Sequence, residues 1–256
     1  MHDSFVAVLS SGSCGNSTFV SASETSLLID AGLSCRELER RLAIYGIEPQ
    51  QIEGVLLTHE HTDHNRGARR FCKMHGVSLF GTAGTLALTP HEDVNSIVIS
   101  DRESLAIGSI SVRPFPVNHL AAEPVAFSLT LNGAKVSIAS DLGCFTERVV
   151  REMKCSNLLM VEANYDEEML RNGNYPGFLK RAIMSDHGHL SNYDAGNLCA
   201  STASDASKEI VLLHLSKDNN SSEVAKDAVC DSIGELMPRM SVVPVEHGLH
   251  AGPFKL

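Results

Sequence analysis

Apolar runs broken by glycine and small polar residues dominate the first half of the chain. "FVAVLS" and "STFVSASETSLLIDAG" read as opening strands, with "SSGSCGN" as a turn between them. "SCRELERRLAIYG" changes to a helical period. Leu38 and Leu42 lie four positions apart, Ser34 and Glu37 have capping-box spacing, and Gly46 can end the helix. "GVLLT" predicts a buried strand, followed by a short helix, "RGARRFCKMHG", and the strand "VSLF". "NSIVIS" and the alternating "GSISVRPFPVNH" are further strands, and Asn132-Gly133 within "VAFSLTLNGAKVSIASD" is a type I′ hairpin signal. Beyond Asp141 the pattern becomes helix ("FTERVVREMK"), strand ("NLLMVEAN"), helix, strand ("EIVLLHLS") and helix ("SSEVAKDAVCDSIGEL"), with "SVVPVE" expected as the last strand. No repeat, low-complexity tract or Pro/Gly-rich linker interrupts this order, so residues 1–256 are read as one domain.

Several predicted strands end in a histidine or an aspartate: His59, His119, Asp141 and His214. In α/β architectures strand ends line up along one sheet edge, where ligands and reactive groups collect. The densest case is "LLTHEHTDHNRGARRF", residues 56–71, which follows a buried run with His59, His61, Asp63 and His64. Alternate side chains leaving a strand can fan towards two neighbouring points. Neutral imidazole and carboxylate are the donors that borderline and hard divalent cations prefer. Four such donors suit two ions, with a further carboxylate to bridge them. A lone histidine would read as part of a solvated loop; this pattern does not.

Composition narrows the setting. The chain has 256 residues, 43% hydrophobic and 20% charged, which is ordinary for a globular protein. The amino end lacks a basic and apolar leader pattern, and no apolar run approaches the roughly 20 residues of a membrane span. Seven cysteines without a C-x-x-C pair imply reduced thiols and a cytoplasmic location. The net charge of −10 disfavours tight non-specific binding to duplex nucleic acid. It leaves room for a phosphodiester gripped at one end by metal ions.

"THEHTDH" resembles the signature of the metallo-β-lactamase-fold hydrolases. The resemblance extends through "SGSCGN", "LLIDAGLS", "FPVNHLAAEP", "SDLG", "EANYDEEML", "YPGFLKRAI", "GHLSN" and "HLSKDNN", a set similar to the YycJ/WalJ branch, bacterial enzymes proposed to be 5′→3′ exodeoxyribonucleases. It implies a four-layer αβ/βα sandwich, two facing mixed β-sheets with outer helices, and two divalent ions per chain: zinc or manganese, with iron as a further candidate. By position, His59, His61 and His119 would hold the first ion and Asp63, His64 and His214 the second, with Asp141 bridging and Asp30 supporting from behind. Two departures stand out. His119-Leu120-Ala121 replaces the usual His-Asp-Ala, and Asn164-Tyr165-Asp166 replaces Asn-His-Asp.

The implied chemistry is hydrolysis of a phosphodiester at a DNA end. Two cations about 3.5–4 Å apart lower the pKa of a shared water and neutralise charge on phosphorus oxygens. The bridging hydroxide would attack phosphorus, with Asp63 orienting it or taking its proton. His189 in "SDHGHLSN" would protonate the leaving oxygen, and Glu162 would keep His189 charged. His187 competes for that role. Ser13 and Asn16 in "SGSCGN" are candidate phosphate contacts, while Arg66, Arg69, Arg70, Lys73, Lys180 and Arg181 read first as solvated basic faces. His247 and His250 sit among glycines and are not taken as ligands. Rival readings are a thioester or lactam hydrolase, a small-molecule or RNA phosphodiesterase, a di-iron redox enzyme, and a scaffold without activity. The glutamate typical of flavodiiron proteins is His61 here. The interval from Asp141 to His214 is too short for the inserted domain of the large RNA-processing nucleases.

Overall fold

The computed structural model describes residues 4–234 and 239–256. The end of the helix expected over "SSEVAKDAVCDSIGEL", at Glu235 and Leu236, lies outside them. The chain opens with β1 (Phe5–Ser10), β2 (Ser17–Ala22), β3 (Thr25–Ile29), α1 (Cys35–Ile44), β4 (Gly54–Leu56), α2 (Thr62–Asn65), α3 (Ala68–His75), β5 (Ser78–Gly81), α4 (Ala83–Ala87) and β6 (Ser96–Val98). A second set follows: β7 (Leu105–Ile107), β8 (Ile110–Pro116), β9 (Val125–Leu131), β10 (Ala134–Ala139), α5 (Glu147–Met153), β11 (Leu158–Glu162), α6 (Glu167–Asn172), α7 (Gly177–Ile183), α8 (Asn192–Thr202), β12 (Glu209–Leu213), α9 (Ser222–Ile233) and β13 (Ser241–Pro244). The last strand, β14 (Ala251–Lys255), returns to the first sheet.

Two seven-stranded sheets result among the described residues, ordered β14-β1-β2-β3-β4-β5-β6 and β13-β12-β11-β10-β9-β8-β7. Each is antiparallel at one end and parallel at the other. The parallel strands explain the continuous apolar runs. In β4, Leu56 faces the core between the sheets, while Val55 and the following Leu57 face the helices outside. Strands buried on both faces need no polar alternation. The central core joins Val6, Val20, Leu27 and Leu56 of the first sheet to Val112, Phe127, Ile138 and Met160 of the second. One outer layer packs α1 and α3 through Leu38, Leu42 and Phe71; the other packs α5, α8 and α9 through Val149, Leu198 and Val229. This is the four-layer sandwich expected from the sequence.

Local signals are mostly obeyed. Ser34 Oγ caps α1 by accepting from the Glu37 amide. Asn132 and Gly133 both take positive φ between β9 and β10, as a type I′ turn requires. Three expectations change. The strand at "SVVPVE" ends at Pro244 and is not the last; β14 pairs antiparallel with β1, and its Pro253 is tolerated at a sheet edge. The helix expected at "RGARRFCKMHG" forms as α3, and a further short helix, α2, begins at Thr62 inside the histidine cluster. The single helix expected before β12 is three, broken at Gly173–Pro176 and again between Ile183 and Asn192.

Register then levels the strand ends. β10, β11 and β12 are parallel neighbours, with Ala139 opposite Val161 and Val161 opposite Leu212. β8 lies two antiparallel steps from β10 and so runs the same way. β1, β3 and β4 share one direction in the first sheet by the same logic. Phe127 spans the central core with no exposed surface. Truncation to alanine should cost about 3–5 kcal/mol, seen as a lower urea midpoint with a little-changed slope.

Candidate metal centre

The residues that follow the levelled strands meet at one edge of the sandwich. Asp30 follows β3, His59 follows β4, His119 follows β8, Asp141 follows β10, Glu162 ends β11 and His214 follows β12. Asp30, Asp141 and His214 all adopt positive φ, at 63°, 53° and 56°. Non-glycine residues rarely do so, and such strain is characteristic of functional sites. Two hydrogen bonds tie the sheets together here: His214 N donates to Ser11 Oγ (2.7 Å) and Val125 N to the Thr58 carbonyl (2.9 Å).

One wall of the site is organised by Asp30. Its carboxylate accepts from the Thr58 amide (2.8 Å), the Thr58 hydroxyl (2.9 Å) and His64 Nδ1 (2.8 Å). The Thr58 hydroxyl also contacts His59 Nδ1 at 3.0 Å. With Nδ1 occupied, both rings direct Nε2 towards the centre. His61 and Asp63 enter from the start of α2, and Asp63 is about a quarter exposed. Gly32 lets the chain pass close by: a Cβ there would lie 1.6 Å from the Asp63 carbonyl oxygen.

The opposite wall is organised by Glu162, which has no exposed surface. Its Oε1 accepts from His214 Nδ1 (2.7 Å) and His189 Nδ1 (2.8 Å), and its Oε2 from the amides of Leu142 (2.9 Å) and Leu190 (3.1 Å). Burial alone would raise its pKa, but the His189 and His214 imidazoles hold it well below the carboxylate range. Burial likewise opposes charge on His189, yet Glu162 and Asp141 push its pKa up to about 9. Burial and the neighbouring His64 drive His59 the other way, well below a free imidazole. His64 is also buried, but Asp141 and Asp30 outweigh that and hold it well above.

The donor atoms between these walls form overlapping groups. The donors of His59, His61 and His119 lie within 4.8 Å of one another, as do those of His59, His64 and Asp141, and those of Asp141, Glu162, His189 and His214. His61 Nδ1 is 3.3 Å from His119 Nε2, whose other ring nitrogen donates to the Gly188 carbonyl. Asp63 Oδ2 is 3.6 Å from His64 Nε2 and 3.9 Å from His214 Nε2. Asp141 belongs to two groups and spans them, with Oδ2 2.7 Å from His64 Nε2 and Oδ1 3.2 Å from His214 Nδ1.

These residues fit divalent metal. The buried atoms His59 Nε2, His214 Nε2 and Asp141 Oδ2 lack any hydrogen-bond partner among the described residues. Asp141 Oδ2 is 2.7 Å from His64 Nε2, close enough for both to reach the same ion. Buried polar atoms left unpaired are costly, and imidazole with carboxylate is a zinc-type donor set.

Other sequence candidates fall differently. Asn16 is buried, its Oδ1 accepts from the Gly12 amide, and its Nδ2 lies 3.3 Å from Asp63 Oδ2 and 3.0 Å from His64 Nε2. Ser13 is exposed on the same turn. A cleft of about 750 Å³ opens nearby, lined by Cys14, Leu215, Lys217, Asn220, Ser221 and His247. His187 is exposed and stands outside the donor groups. Leu120 is 78% exposed beside His119, and its amide donates to the His187 carbonyl; Tyr165 is buried where it bridges to Ser191. Arg69 and Lys73 pair with Asp93, and Lys180 donates to the Arg171 carbonyl. His250 contacts the Tyr45 hydroxyl, and neither it nor His247 joins a donor group. Sequence reasoning missed Thr58, Gly32, the Gly188 carbonyl and the bond from Glu162 to His214. Thr58 alone left a signal, as the first polar residue after the apolar run of β4.

Replacing Asp30 by alanine would leave a buried amide, hydroxyl and imidazole without their acceptor. The expected loss is about 3 kcal/mol in urea unfolding of the metal-free protein, with Asp30→Asn losing less.

The beta-lactamase superfamily domain matches residues 25–215 of the chain. "Exodeoxyribonuclease YycJ" of Bacillus anthracis is 35% identical over 234 residues, covering 90% of this chain and 89% of the relative. "Exodeoxyribonuclease WalJ" of Streptococcus pneumoniae serotype 2 is 31% identical over 236 residues, covering 90% and 88%. Among solved structures, the metallo-beta-lactamase fold protein YhfI from Bacillus subtilis superimposes with a TM-score of 0.75 at 18% identity, over 97% of this chain and 99% of that one. That likeness is one of fold. The chain belongs to the β-lactamase superfamily, in the family that contains YycJ and WalJ.

Proposed function

We propose that the protein is a metal-dependent phosphodiesterase that degrades DNA from an end in the 5′→3′ direction, with residues 1–256 acting as one hydrolase domain. The observation that carries this reading is a cluster of metal-type donors, with His59 Nε2, His214 Nε2 and Asp141 Oδ2 buried and unpaired, at one edge of a chain similar along 90% of its length to two proteins named exodeoxyribonucleases. His59, His61 and His119 would hold one divalent ion and Asp63, His64 and His214 another, with Asp141 between them. Zinc and manganese are the first candidates and iron the third. When bound, such ions supply Lewis acidity and lower the pKa of water to near neutral.

The chain's own residues do the rest. Asp63 reaches solvent from the start of α2 and orients the attacking water or takes its proton. His189 keeps Nδ1 on Glu162, which leaves Nε2–H to protonate the leaving oxygen of the ester. The Glu162 carboxylate against Nδ1 favours the protonated ring. Glu162 positions His189 and His214 together, so the acid and a metal donor share one anchor. Asn16 steadies Asp63, and Ser13, exposed on the same turn, would contact phosphate. The acidic chain gives DNA no general attraction, so grip has to come from this end of the molecule.

Among the described residues no helix is long and apolar enough to cross a membrane, and all seven cysteines are free. Free thiols fit a reducing compartment, and the cytoplasm is the location inferred.

The test is digestion of end-labelled single- and double-stranded DNA and RNA by the metal-loaded protein. DNA shortened stepwise from its 5′ end is expected. A chelator should abolish this, and zinc or manganese should restore it. Asp63→Ala should stay folded and lose roughly 10²–10⁴-fold in rate, the scale of a general base. Equal degradation by wild type and Asp63→Ala would assign the activity to a contaminant. Cleavage of a thioester with DNA untouched would move the protein to another class.

His189→Ala should lose a comparable factor while keeping its full metal complement by elemental analysis. A drop in metal content would instead make His189 a ligand.

A further inference from the structure

A second group of metal donors lies away from the strand ends, between α1 and α3. Cys35 opens α1, Glu39 is one turn later on the same face, and His75 closes α3. Cys35 Sγ is 3.4 Å from Glu39 Oε1, and His75 Nε2 is 2.9 Å from that same oxygen. The three donor atoms lie within 4.8 Å of one another. A second sulfur, Met74 Sδ, is 3.8 Å from the thiol. The Cys35 and His75 side chains are about nine-tenths buried or more, and the His75 ring packs on Phe71 with centroids 4.8 Å apart. Glu39 is about a third exposed, so the group opens to solvent on one side.

We propose that Cys35, Glu39 and His75 form a separate binding site for a zinc-type divalent cation that clamps α1 to α3. Thiolate, imidazole and carboxylate are the three protein donors zinc takes, and a site with three of them keeps a fourth position for water. Donors at about 2.0–2.3 Å from a tetrahedral ion stand roughly 3.3–3.8 Å apart. The sulfur–oxygen separation already has that value, and the imidazole needs to move from the carboxylate by less than about 1 Å. Burial and the neighbouring Glu39 push the Cys35 thiol up to about 11, so the ion has to displace its proton to gain the sulfur. Binding exchanges one proton for the ion: the Cys35 S–H bond breaks, a sulfur–metal bond forms, and the proton leaves to solvent. A hydrogen-bonded brace alone would need no sulfur. Here two sulfurs, an imidazole and a carboxylate converge from two helices.

The site's position gives it a consequence. Cys35 follows the loop in which Gly32 touches the Asp63 backbone, and α3 follows α2, which carries Asp63 and His64. An ion joining the starts and ends of these helices would brace the scaffold behind the catalytic edge without entering it.

Cobalt separates this site from the proposed catalytic one, whose donors include no thiolate. Metal-stripped full-length protein titrated with Co²⁺ is expected to develop a near-ultraviolet thiolate-to-cobalt charge-transfer band. Asp63→Ala should keep the band, whatever becomes of nuclease activity. Cys35→Ser, checked for folding by circular dichroism, should lose it. His75→Asn should weaken the cobalt binding that produces it by more than the roughly tenfold cost of losing an outer-shell partner. No band in folded wild type, or a band that survives Cys35→Ser, overturns the site and leaves a hydrogen-bonded brace.

Discussion

A carboxylate with no exposed surface holds the site together. Glu162 accepts four hydrogen bonds, two from imidazoles and two from backbone amides, and those donors come from three different loops. A charge at that depth is tolerated only when paired and fully bonded. The requirement runs both ways, since the loops after β10 and β12 and the segment before α8 must return to this point. Asp30 does the same on the facing sheet for Thr58 and His64. Two buried acids, one per sheet, thus fix the tautomers and directions of the rings between them.

That arrangement explains why the edge of the sandwich is strained. Parallel register brings the strands to one level, but a strand that simply continued would carry its next side chain along the sheet. Positive φ at Asp30, Asp141 and His214 turns the chain at once and aims those side chains across the gap. Glycine would adopt the turn at lower cost but has no donor to offer. Strain at these three positions is therefore inseparable from having a carboxylate or imidazole there.

Much of this was legible in the sequence, and for a physical reason. His59, His119, Asp141 and His214 each end an apolar run, and charged or titratable groups at the end of a doubly buried strand have few other uses. The hairpin at Asn132-Gly133 and the cap at Ser34 were readable because each depends on local chemistry alone. What escaped depends on close approach. Gly32 matters because a distant backbone passes it, and the Gly188 carbonyl and Ser11 act through contacts that leave no period in the chain. The edge strand β14 hid behind Gly252 and Pro253, residues that argue against a strand anywhere but at an edge. Cys35 and Glu39 show helical spacing, but their partner His75 closes another helix, a long-range meeting that no local pattern announces.

The division of labour between the sheets follows from topology. The first sheet delivers its donors in one burst, from β4 into α2, so four of them are locked to a single short segment and cannot be tuned separately. The second delivers one donor each after β8, β10 and β12, every one carried by its own loop, with Glu162 at the end of β11 anchoring His214. One loop of the second sheet can therefore change without disturbing the others. Leu120 and Tyr165 both lie on that side, one exposed beside His119 and the other buried against Ser191. The segment from His59 to His64 has no such freedom, because four side chains of the site share one short stretch of chain.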